Sequence, residues 1–425
     1  MIHSARAGVR GLSAGIICIL ALVGCSDGGG AQDTTPGTPP PSGNTPNPPA
    51  HGTDPGPAKD AGPIGTDPPT PAADAGTDSA PPPPPPECKA GLPSDVSDLE
   101  SLTSQSTVSK KTPMGTNFED SAKHTLTSAE KAFFADGSKS PAIPSYLSGM
   151  HMKTFTVTLY PSGEPTPADI NQHAIGDCDG VTAMASMAYM NPDFVKSIIT
   201  DNHDNTYTVA MFDPTGKPLG VKVNNQFLAD GSNNLAGASG KNGVADWATV
   251  LEKAILKYNE IYAFIGSIEG IGSEHTTPLF TGEGGSFAFD RGALAPDQLT
   301  RVVKASLAAG KFISGGFGHE TKLGNVTSIT AHGYAVFVPA DTKTMVSMRN
   351  PWGLSPKADG SGYDPSADGV LNIPSTKDWA KDIDIRIIDP GKACSAGRTD
   401  PYVPIASRIV TNDIRVTEHH HALAP

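Results

Sequence analysis

Nearly half of the forty prolines fall before residue 88, and six of them, Pro81 to Pro86, are consecutive. That distribution decides where a fold can begin. Each proline fixes φ and removes a backbone donor, so a dense set excludes helix and sheet interiors. Its companions are mostly Gly, Asp, Thr and Ala, with a repeated Gly-Thr-Asp, and they bury too little apolar surface to offset the entropy of ordering. Residues 26 to 87 therefore read as an extended spacer, roughly 45 Å across if treated as a coil. Dense apolar patterning starts near Tyr160 and runs to about Ile388, enough for one substantial core or two packed subdomains. A net charge of −13 with no basic patch argues against nucleic-acid binding as the main role.

The first residues carry His3, Arg6 and Arg10, then an apolar run from Leu12 to Val23, then Gly24-Cys25. Such a pattern is expected of a signal peptide over residues 1–24, being too short for a spanning helix. Leu22-Val23-Gly24-Cys25 resembles the bacterial lipobox, which implies a lipid on Cys25, a tethered linker over 25–87 and a place in the bacterial cell envelope. Cys18 would leave with the signal peptide. Residues 88–160 are polar, with a modest helical signal at Ser128, Glu130 and Phe134, and are expected to form a peripheral N-terminal segment. Residues 396–425 read as a tail, in which His419-His420-His421 is a polar run more than a metal site.

Between these, the pattern mixes periods. Cys178 to Thr200 reads as helical, with Val181, Met184, Ala188, Phe194, Val195 and Ile198 apolar. Tyr207 to Phe212, the turn Asp213-Pro214-Thr215-Gly216 and Leu219 to Val223 read as a hairpin. Trp247 to Tyr258 and Leu299 to Ala309 read as helices, the latter ending at Gly310. His332 to Val338 and Thr344 to Met348 read as strands around a turn. The expected class is α+β.

The strongest local signal is Gln172-His-Ala-Ile-Gly-Asp-Cys178 leading into a helix. A thiol at a helix N-terminus meets the positive end of the dipole, which favours the nucleophilic thiolate. A glutamine six residues earlier can aim its amide at a tetrahedral oxyanion, together with the cysteine N–H. Downstream, His332 begins one strand and Asn350 ends the next, equidistant from a turn at Pro339 to Lys343 centred on Asp341. Cross-strand partners share a face at about 5 Å, so this register would set an asparagine amide against an imidazole, as a Cys–His enzyme requires. A slip of one residue would separate them.

These segments resemble those of a family. Gly176-Asp177-Cys178, His332-Gly-Tyr334 and Arg349-Asn350-Pro351-Trp352-Gly353 are similar to the catalytic segments of calpain-type cysteine proteases. Trp247-Ala-Thr-Val-Leu251-Glu252-Lys253-Ala254 and, more briefly, Phe280-Thr281-Gly282 are similar to others. The resemblance covers roughly residues 165 to 390 and implies a catalytic domain over 161–395. It implies a papain-like fold of a helical half and a β-rich half with the cleft between them. Cys178 would be the nucleophile, His332 the general base and acid, Asn350 the orienting residue, Gln172 the oxyanion donor, and Trp352 a shield over the His–Asn contact. The implied reaction is hydrolysis of protein or peptide substrates through a thioester.

Two departures stand out. Asp179 follows the cysteine where the family has tryptophan, and a carboxylate there opposes the thiolate. This leaves open an inactive surface binding module, and beside it a transglutaminase-like acyl-transfer enzyme. The second departure concerns calcium, the cofactor the resemblance brings to mind. Asp169 and Asp368 match ligand positions, yet Val370 stands where another carboxylate is expected, and Asp246 is one place off. Calcium takes six to eight oxygens, so the set is incomplete. With Cys25 assigned to lipid and Cys178 to catalysis, Cys88 and Cys394 are left to form a disulfide across the ends of the domain.

Overall fold

A computed structural model describes residues 88–106, 124–262, 268–366, 368–375 and 379–402. The expected signal peptide, Cys25, the linker and the three terminal histidines lie outside the described residues. Strands dominated by Phe, Ile, Val and Met build one seven-stranded antiparallel sheet. Its order is Gln105–Ser106, Ser286–Phe289, Ile383–Ile388, Phe312–Phe317, Tyr334–Phe337, Thr344–Arg349 and Val370–Pro374. Three interior strands, Phe312–Phe317, Tyr334–Phe337 and Thr344–Arg349, are buried at every position, which explains why they do not alternate between apolar and polar residues.

One helix packs on both this sheet and a second helix. Cys178–Met190 is buried from Gly180 to Met190, so it is apolar nearly all round rather than along one stripe. It packs on the Ser273–Thr281 helix and on the Phe312–Phe317 and Tyr334–Phe337 strands. Tyr189 meets Phe337 with ring centroids 4.4 Å apart. Met184 and Met187 are fully buried core filling, worth roughly 1.5–3 kcal/mol each.

This helix is shorter than the periodicity suggests. It ends at Asn191, which then caps a six-residue helix, Pro192–Ser197, by accepting from Phe194 N–H at 3.0 Å. Pro192 has no N–H to continue the first ladder and suits the first turn of the second. Ile199–Asp201 already belongs to a three-stranded sheet with the expected hairpin, Thr206–Phe212 and Pro218–Asn224. The other two helices run Trp247–Asn259 and Pro296–Ala308, and Gly310 takes the left-handed φ of 78° after the second. The helix-containing side therefore has sheet of its own, including the pair His151–Thr154 and Gln226–Ala229.

Much of the segment expected to be peripheral is built into the core. Val96 and Leu99 are buried, Gln105–Ser106 is an edge strand of the main sheet, and Phe134 stacks on Tyr262. Thr127 and Glu130 form a capping box for the Ser128–Ala135 helix, a polar signature that hides how apolar its inner face is. Cys88 and Cys394 are joined in a disulfide, 306 residues apart in sequence. The first residues of the expected tail also pack: Tyr402 lies against Phe337 and donates to Asp368 Oδ2 at 3.1 Å.

Candidate active site

The hairpin that carries His332 and Asn350 pairs Ala335 with Arg349, Val336 with Met348 and Phe337 with Ser347. This differs from the expected register by two residues, and His332 itself lies two residues before its strand. A shift of two preserves the face, so the residues still meet, diagonally instead of directly opposite. His332 Nε2 is 2.8 Å from Asn350 Oδ1. Ala331, at a left-handed φ of 50°, turns the chain immediately before the histidine.

The tautomer follows from the partners. Trp352 N–H donates to Asn350 Oδ1 at 3.0 Å, and a backbone N–H can only donate, so that oxygen is the acceptor. Nε2 must then carry the imidazole proton, which leaves Nδ1 with its lone pair. His332 is 5% exposed, with Trp352 and Tyr334 against it at ring-centroid distances of 4.8 and 5.3 Å. Burial pushes its imidazole down to about 4, against the opposing pull of the Asn350 hydrogen bond. The ring is therefore a neutral base at pH 7.

Cys178 opens its helix, and the N–H of Gly333, next to His332, donates to its Sγ at 3.5 Å. Gly333 has no alternative. A Cβ there would come within 2.3 Å of Asp179 Oδ1 and 3.1 Å of Asp179 Cα, displacing the start of the helix that Cys178 opens. Gln172 is brought in by its backbone, whose N–H donates to Pro351 O at 2.9 Å beside Asn350. Its side-chain amide donates to Ile175 O at 2.8 Å and to Asp177 Oδ1 at 3.3 Å. Both amide hydrogens face the loop that precedes Cys178. In this state the amide braces that loop, and donating to an oxyanion requires it to turn.

Three residues were quoted in the sequence but not read as functional. Asp177, fully buried beneath the loop, is pushed up to about 7 by burial, with the Gln172 hydrogen bond opposing. Glu252 lies near it, raised first by burial and then by Asp177, and it takes Ala238 N–H on its carboxylate. Arg349 is fully buried beside Asn350; it donates to Asp368 at 3.2 and 3.3 Å and to Ile170 O at 2.9 Å. The one charge in a fully buried strand was the available signal for it.

The two positions matched to calcium ligands are already engaged. Asp368 accepts on both oxygens from Arg349 and on one from Tyr402. Asp169 accepts from Thr166 N–H and Trp247 Nε1, with Ser162 Oγ at 3.3 Å. Asp246 caps the Trp247–Asn259 helix through one oxygen, and burial followed by the Asp169 charge raises it well above the usual carboxylate range. Its second oxygen is the single unpartnered carboxylate atom of this set, far short of six to eight ligands. The residues present do not fit calcium.

No curated protein matches the chain. A model of the calpain family of cysteine proteases matches residues 151–365, just over half of the chain and a span that holds Cys178, His332 and Asn350. The chain belongs to the calpain family of cysteine proteases and is a cysteine endopeptidase.

Proposed function

We propose that the chain hydrolyses peptide bonds with Cys178 as nucleophile, His332 as general base and then acid, and Asn350 as the residue that orients the ring. The observation that carries this reading is the His332 Nε2 to Asn350 Oδ1 contact of 2.8 Å, whose oxygen is defined by the Trp352 N–H. With Nε2 protonated, Nδ1 accepts the thiol proton as Sγ attacks the carbonyl carbon, and it later delivers that proton to the leaving amine. The resulting thioester is hydrolysed when His332 deprotonates water. The Cys178 N–H at the helix start, together with a turned Gln172 amide, would stabilise the oxyanion.

Catalysis proceeds without calcium in this reading, because Arg349 occupies Asp368 and Trp247 occupies Asp169. The cleft lies between a helix-bearing half and the large sheet, and the lipobox-like Leu22 to Cys25 assigns the protein to the bacterial envelope on a lipid anchor. Casein hydrolysis, run with calcium and with a chelator beside Cys178→Ala, tests the reading. Cleavage that is lost in the variant and indifferent to chelation is expected. Cleavage that survives Cys178→Ala would remove the triad, and cleavage abolished by chelation would remove calcium independence.

A further inference from the structure

Beside His332 is a cavity of about 200 Å³ whose charged and hydroxyl-bearing walls have no role in the chemistry above. His332 and Gly333 form one side; Asp179, Glu274, Ser314 and Arg386 form much of the rest. Its floor is hydroxylic, with Ser273 Oγ 2.6 Å from Ser314 Oγ. The charges divide unevenly. Arg386 pairs with Glu274, and Arg291, half exposed at the mouth, pairs with Asp384 at 3.0 Å. Arg291 is thereby committed, whereas Arg386 also attracts Asp179 from beyond ion-pair distance.

Asp179 makes no close ion pair or hydrogen bond of its own among the described residues; burial pushes its carboxyl up to about 6, against the longer-range pull of Arg386, so it still carries its charge at pH 7. It is held against Gly333, where only a glycine admits it. Three carboxylates thus face two guanidinium groups and a neutral imidazole, leaving the cavity one negative charge in excess. In a partly closed space that excess is weakly screened. An aliphatic side chain entering here would strip water from Asp179 and offer it no partner, whereas an ammonium or guanidinium group would pair with it.

We propose that this cavity receives a lysine or arginine side chain of the peptide substrate, with Asp179 as the specificity-determining carboxylate. The proposal rests on the endopeptidase reading. Because Asp179 follows the nucleophile directly, the recognised side chain belongs to a residue within about three positions of the cleaved bond, given a reach of ~3.3 Å per extended residue.

The test is digestion of a peptide mixture randomised at each position, with products identified by mass spectrometry, for the wild type, Asp179→Asn and Cys178→Ala. The expected result is one position near the cut at which Lys or Arg is preferred over Leu and Glu at least ten-fold in kcat/KM. Asp179→Asn should bring that ratio close to one. Glu274→Gln should also lower it, by freeing Arg386 to pair with Asp179, and this second variant serves if the first does not fold. Cleavage that depends on Cys178 but prefers Leu or Glu would overturn the proposal, as would a Lys or Arg preference that both variants leave intact. Absence of any Cys178-dependent cleavage would overturn the endopeptidase reading, and the proposal with it.

Discussion

Replacing Arg349 with methionine tests the buried clamp next to Asn350, the proposed orienting residue. Methionine fills most of the same volume, so packing loss is small and the lost interactions dominate. The substitution deletes two hydrogen bonds to Asp368 and one to Ile170 O. Asp368, 8% exposed, would keep only Tyr402 as a donor, and the Ile170 carbonyl would lose its guanidinium donor. Removing one partner of a buried pair costs about 3–5 kcal/mol, mostly because the remaining charge is uncompensated. Urea denaturation followed by tryptophan fluorescence should show a fall of that size in unfolding free energy at unchanged slope. The cause can be isolated by adding Asp368→Asn, which removes the stranded charge and should recover about 1–3 kcal/mol. Ile170 lies two residues before Gln172, so kcat should fall more than KM rises. A loss below about 1 kcal/mol for Arg349→Met, or no recovery in the double variant, would refute the argument that this carboxylate needs its guanidinium partner.

Other outcomes follow from the same structure. Asp177 has a folded pKa raised to about 7 from 3.8, so its contribution to stability is full below about pH 3.8 and is lost as pH rises through 7. Asp177→Asn should therefore gain on the wild type between pH 4 and pH 8, by on the order of 3 kcal/mol, and parallel stability curves would contradict this. Asn350→Ala frees the His332 ring and should lower kcat/KM roughly 100-fold with little change in unfolding midpoint; an equal loss of stability would make its role structural. Replacing both Cys88 and Cys394 with serine opens a 306-residue loop and should cost as much as about 5 kcal/mol in chemical denaturation. A midpoint unmoved by the double replacement would mean that packing alone holds the ends.

The parts of the site legible in the sequence were those that depend on local chemistry. A cysteine before an apolar helix, a glutamine six residues earlier and a His–Asn pair across a short hairpin need only spacing and face to be read. The face survived even though the register was wrong by two, because strand periodicity is itself two. Less legible was what depends on distant partners. Pro192 marked the helix break, but the long apolar run around it concealed that. Val96, Leu99 and Phe134 sit in polar stretches and become core only when the Pro296–Ala308 helix meets the first two and the Trp247–Asn259 helix the third. The engagement of Asp368 by Arg349 spans 19 residues and a strand pairing, so a local reading leaves that carboxylate looking open.

The bond between Cys88 and Cys394 also changes the topology of damage. It converts the intervening chain into a covalent ring. One cut anywhere inside that ring opens it without parting it, so a molecule nicked by its own kind stays a single piece under oxidising conditions. Both fragments would remain attached to whatever precedes Cys88. Release of a fragment takes two cuts, or one cut and a reductant. For an enzyme whose substrates include polypeptides, this makes loss of part of the domain a second-order event in self-digestion.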